Sequence, residues 1–166
     1  MKIFLRVLKW LAVAAVCSLV GLQFVRPART NPAVDQSQTI HARLQVNPQV
    51  AAILDRSCQD CHSNTTRWPW YSNVAPVSWF VIDHVNHGRS HMNLSEWGSL
   101  DNRQAGKKLE EICEEVEDRA MPLASYTRIH WGAKLSTEDI KTLCEWTAAE
   151  SARIAQPKVV APTQAP

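Results

Sequence analysis

Residues 47–154 contain no stretch that alternates apolar and polar at period two for long enough to make a strand. That excludes a sheet-built fold and predicts an all-α domain. A basic patch is missing too. This region holds 11 Lys and Arg against 15 Asp and Glu, a balance of −4. The overall charge of +2 arises partly because Lys2, Arg6, Lys9, Arg26 and Arg29 flank an N-terminal apolar run. A nucleic-acid interface is therefore excluded. No second closely spaced cysteine pair completes a four-ligand zinc site, and no βαβ pattern surrounds the one pair present, as a thioredoxin-like dithiol would require. No nucleophile with an acid–base partner stands out.

What is present is Cys58-Gln59-Asp60-Cys61-His62. C-x-x-C-H is the attachment signature of a c-type haem. Thiols three residues apart can each add to one vinyl group of the porphyrin. The next residue then lies under the iron, so His62 is the expected proximal ligand. The competing readings are a zinc site or a dithiol, with His62 incidental.

The N-terminus bears on compartment. After Met1-Lys2, with Arg6 and Lys9, the chain is apolar from Trp10 to Val25, broken only by Ser18, Gly21 and Gln23. A basic segment followed by an apolar one reads as an export signal. No small-x-small triplet closes the run, and Val16 is too bulky before Cys17 for a lipoprotein box. Counting Ile3 to Leu8, the stretch suffices for a hydrocarbon core of about 30 Å. An uncleaved signal anchor is favoured over a cleaved signal peptide. The domain is then expected at the periplasmic side of a bacterial inner membrane, or soluble in the periplasm after cleavage.

The expected layout is residues 1–26 as anchor or signal, 27–46 as a polar tether, 47–155 as a haem-binding domain and 156–166 as a disordered tail. Four domain helices are predicted. One starts at Asn47-Pro48, a capping residue followed by proline at the first helical position, and runs into Cys58. A second begins at Pro76 and ends near Gly88. A third follows Asp101, with Ala105, Leu109, Ile112, Cys113 and Val116 inward. The fourth starts at Ser136 with Asp139 at N3. Residues 63–75 read as a loop. Cys113 and Cys144 lie on separate helices, either as a disulfide or as buried thiols.

An electron-transfer haem needs a second axial ligand. Met121, stiffened by Pro122, is the leading candidate, since Met/His ligation raises the reduction potential. Met92 and the histidines are its rivals. His84, His87 and His91 fall at i, i+3 and i+7, one helical face unless Gly88 interrupts it, and His91 is an alternative distal ligand. Their blander role is hydrogen bonding to propionates, side chains or solvent. Arg89 is a candidate propionate partner. Trp68 and Trp70 are candidate porphyrin neighbours or plain core, with Tyr126 and Trp131 on the other side. The acidic run Glu110 to Asp118 reads as a solvated helix face or a docking surface for a basic redox protein.

These residues also resemble a known family. The run Cys58 to Tyr71, then Ala75-Pro-Val-Ser-Trp, His84, Gly88-Arg89, His91 and Asn93-Leu-Ser-Glu-Trp97 is similar to the bacterial haem-binding domain family. Met121-Pro-Leu-x-x-Tyr126, His130, Leu135-Ser136 and Leu143-Cys144-x-Trp146 extend the likeness. The resemblance implies a cytochrome c-like α-fold around one covalent haem c, in exported and often membrane-anchored proteins. It supports Met121 as distal ligand. Electron transfer is the leading expectation, with no substrate chemistry. A gas sensor or peroxidase-like enzyme with an open iron position, aided by a distal His or Arg89, is the second, and a metal-free or zinc-stapled domain the third.

Overall fold

Helix starts follow the local capping chemistry. In the computed structural model, which describes residues 1–156, the Asn47 side chain accepts from the Val50 amide and Pro48 opens the helix that follows. Asp101 with Gln104, and Ser136 with Asp139, form reciprocal capping boxes, each satisfying amides that a helix start leaves unpaired. Eight α-helices result among the described residues: α1 Lys2–Leu22, α2 Ile40–Arg43, α3 Pro48–Ser57, α4 Gln59–His62, α5 Val77–His91, α6 Asn102–Glu117, α7 Ala124–Thr127 and α8 Thr137–Ala155. Short 3-10 turns join several of them, one of them, Trp70–Asn73, within the expected loop. No strand occurs among the described residues, so the fold is all-α. The expected tail, apart from Gln156, lies outside them.

α6 and α8 form the longest pairing, and α3 packs across α8. Val50, Leu109 and Leu143 are fully buried where these helices meet, each side chain stabilising the fold by about 1.5–3 kcal/mol. A disulfide, Cys113–Cys144, joins α6 to α8. α4 packs against both α3 and α5.

α1 carries Lys2, Arg6 and Lys9 near its start and is otherwise almost wholly apolar, with a mean hydropathy of 2.1 over an 18-residue window and no buried residue. By length and composition it suits a membrane anchor or a signal. The segment expected to be a polar tether is instead bound to the domain: in its first half Arg29 donates to Ser72 and Asn31 to the Thr66 carbonyl, and its second half enters the core. Ile40 and Leu44 sit in the core, the Gln45 amide donates to Glu150, and the Gln45 carbonyl accepts from the Trp146 indole. Four residues apart on one turn, Ile40 and Leu44 bury a single face too short to show a period.

Candidate functional site

α3 delivers the chain into the C-x-x-C-H segment without a break. The Cys58 amide still donates to Leu54. Cys58 then turns the backbone (φ −120°, ψ −37°), and its carbonyl accepts from the amides of both Cys61 and His62. Two thiols and one imidazole are thereby fixed within a single helical turn. α5 lies close behind it. A Cβ on Gly88 would stand 2.6 Å from the Cys61 carbonyl oxygen, so glycine is required there by the approach of the two helices.

His62 is held from two directions. Its Nδ1 lies 3.1 Å from the Met92 carbonyl, and its own carbonyl accepts from Leu94 at 2.7 Å. With the Nδ1 proton given to Met92, Nε2 keeps its lone pair for a metal. Burial pulls the imidazole below its ordinary pKa and so favours the neutral, ligating form. Burial also pushes the Cys58 thiol up to about 12 and Cys61 up to about 11.

A polar network backs the turn. Asn64 bonds Glu96 through its side chain and Ser95 through its amide, and its oxygen accepts from Asn93. Ser63, Asn64 and Ser95 are all buried. Satisfied networks of this kind hold one conformation.

In front of the turn lies a cavity of about 720 Å³, within the range of sites that enclose a large organic cofactor. Cys58, Cys61 and His62 line one side. Ile112, Val116, Leu123 and Leu135 give an apolar wall, while Met121 stands on the same lining. His84, His87 and His91 face the cavity together. α5 runs unbroken to His91, correcting the expected end near Gly88. Two adjacent thiols, a nitrogen ligand with its second nitrogen occupied, a thioether and an apolar wall suit an iron porphyrin.

Other expected residues lie elsewhere. Arg89 gives its guanidinium to the Ser63 and Thr30 carbonyls, Asn31 Oδ1 and Thr66 Oγ1, and does not line the cavity. The Trp68 indole donates to Asn31. Trp70 is 77 % exposed and Trp131 82 %. Tyr126 does line the cavity and donates to Asp60 at 2.8 Å. Lys108, Glu111 and Glu115 reach the lining from α6, with Lys108 and Glu111 paired at 2.6 Å. The expected solvated face holds for Glu110, Glu114, Glu115, Glu117 and Asp118, which are exposed, while Glu111 is half-buried. Lys108, Glu111 and Glu115 fall at i, i+3 and i+7 beside the buried Ile112 and Val116, and that spacing was the available signal for the cavity lining.

A smaller cleft, about 100 Å³, adjoins the cavity. Cys61, His84, Leu123 and Tyr126 line both. Its outer wall includes Val77, Phe80 and Ile129, and its polar groups include Tyr71, whose hydroxyl lies 3.3 Å from His130 Nε2.

A profile of the haem-binding domain family matches residues 17–149. The chain belongs to the haem-binding domain family. That membership supports haem as its cofactor. The match begins inside α1, so it takes in the segment carrying Ile40 and Leu44. No curated protein and no solved structure matches the chain significantly.

Proposed function

We propose that this haem-binding domain carries one covalent haem c and passes single electrons at the outer face of the inner membrane, with α1 retained as its anchor. Cys58 and Cys61 bind the porphyrin through thioether bonds. His62 Nε2 is the proximal ligand and Met121 the distal one. The observation that carries the reading is the C-x-x-C-H turn opening onto a cavity that also bears Met121, with His62 Nδ1 held by the Met92 carbonyl. When bound, the haem supplies a reversible ferrous–ferric couple. The protein residues orient the imidazole through the Met92 carbonyl and line the cavity with the apolar Ile112, Val116, Leu123 and Leu135.

His91 is the second choice as distal ligand, supported by its place on the same lining. The sensor or peroxidase-like alternative loses one of its two expected assistants, because Arg89 is engaged away from the cavity, while the other, a distal histidine, stays on offer from His84, His87 and His91 on the lining. The test is the absorption spectrum of the full chain matured with covalent haem, in detergent, for wild type and Met121→Ala. A low-spin spectrum with the weak far-red sulfur-to-iron band, lost in the variant, is expected. A high-spin wild type that takes up carbon monoxide readily would overturn electron transfer and favour an open iron site.

A further inference from the structure

Large apolar side chains are exposed in just two places among the described residues. One is α1. The other is a single face of the domain beside the end of α1. Trp70, Val74, Val77 and Phe80 contribute from the start of α5 and the turn before it. Ile129 and Trp131 contribute from the segment after α7. Val77, Phe80 and Ile129 line one cleft. Trp70 meets Tyr71 edge-on with ring centroids 5.8 Å apart, and Tyr71 bonds His130, the neighbour of both Ile129 and Trp131. Isolated exposed apolar residues need no explanation, but a contiguous group does.

The end of α1 is fastened to the rim of this face. The Gln23 side chain exchanges two hydrogen bonds with the Ala75 backbone, each 3.0 Å. The Trp79 indole donates to the Val25 carbonyl, and Arg26 donates to that of Asn73. α1 has 21 residues, and at 1.5 Å per residue a helix of this length matches a hydrocarbon core of about 30 Å. With α1 across the bilayer, Gln23 emerges at the interface. The apolar face must then lie at that level.

We propose that the face formed by Trp70, Val74, Val77, Phe80, Ile129 and Trp131 lies on the outer surface of the lipid bilayer in which α1 is anchored. Trp70 and Trp131 have the amphipathic rings that favour the headgroup boundary. Arg26 and Arg29 lie within seven residues of the end of α1, each with one guanidinium nitrogen bonded to the Ser72–Asn73 turn and further donors to offer lipid phosphates. The cleft beside the haem cavity opens on this face, so the cavity stands next to the membrane surface rather than out in solvent. The inference rests on α1 being retained as a span.

The test uses the full haem-loaded chain in nanodiscs of phosphatidylethanolamine and phosphatidylglycerol doped with a lipid carrying a photoactivated diazirine in its acyl chain near the headgroup. Mass spectrometry then locates the adducts. Adducts on α1 and on residues 70–80 and 129–131, with none on α6 or α8, are expected. Adducts on α1 alone would overturn the inference while leaving the span intact. A chain free of adducts throughout would overturn the span and the inference together. Cross-linked dimers with an unlabelled face would assign the face to a second copy and overturn it too. In the Trp70→Ser/Trp131→Ser variant, face adducts should fall several-fold with α1 adducts unchanged. Undiminished face labelling would overturn the assignment of those two anchors.

Discussion

The two cysteine pairs of the domain meet opposite fates. Cys113 and Cys144, 31 residues apart, are joined and tie α6 to α8. Cys58 and Cys61 sit on one helical turn as free thiols on a cavity wall. The difference follows from what each link could do. A bond across 31 residues removes much of the unfolded chain's freedom, whereas one across a single turn removes little. The first pair therefore stabilises the fold. The second is fixed by the fold and left available for covalent chemistry, with burial keeping both thiols protonated.

The sharpest way to separate the pairs is to delete each. Cys58→Ala with Cys61→Ala should abolish haem stain on a denaturing gel entirely, while Cys113→Ala with Cys144→Ala should retain it. Stain surviving the first pair of changes would mean the porphyrin is not held by these thiols. The second pair of changes should instead lower stability by about 3–4 kcal/mol, read from the urea midpoint. A change below 1 kcal/mol would show that α6 and α8 hold together without the link.

Two helical glycines refine the contrast. Gly88→Ala drives a methyl into the Cys61 carbonyl, and overpacking of this kind costs about 1–3 kcal/mol. It should also lower the yield of attached haem, by displacing α5 from the turn. Gly106 lies on α6, where the nearest atom to an added Cβ is Ser151 Oγ at 3.5 Å, an ordinary contact. Gly106→Ala should stabilise by about 0.5–1 kcal/mol through helix propensity alone. Equal effects at the two positions would remove the case for close approach at the C-x-x-C-H turn.

The smallest effect concerns acid. Burial raises the Glu150 carboxyl, but the Arg153 guanidinium and the Gln45 amide outweigh it and hold the group below its ordinary 4.5. A depressed carboxylate stabilises the folded state above its unfolded pKa and loses that contribution as pH falls through its folded value. Glu150→Gln should therefore lower the melting temperature at pH 7, and the gap to wild type should narrow by pH 3. A gap that widens in acid would reverse the sign assigned to Glu150.

What could be read from the sequence was local. Asn47, Asp101 and Ser136 act on amides three residues away, so their helix starts are visible in the chain itself. The C-x-x-C-H spacing is equally self-contained. Gly88 is the counterexample, because the reason for glycine is the carbonyl of Cys61 on another helix, and the sequence offered only its low helix propensity. Arg89 misled for a related reason. A lone cation near the motif suggested a propionate, whereas its acceptors are mostly oxygens of chain segments that fold brings together. The α6 carboxylates do stand mostly in solvent, as their charge suggested, and nothing in that charge showed that Glu111 and Glu115 also border a cavity.

The junction after α1 has a practical meaning for how far the cofactor domain can stray. Because Gln23 and Arg26 bind the turn before α5, and Thr30 and Asn31 bind Arg89, the twenty residues before Asn47 give no slack. They are a strap, sewn along the side of the domain. A graft of this domain onto another anchor must move residues 23 to 155 as one block. Lengthening the reach of its haem toward a distant partner would require new residues inserted ahead of Gln23.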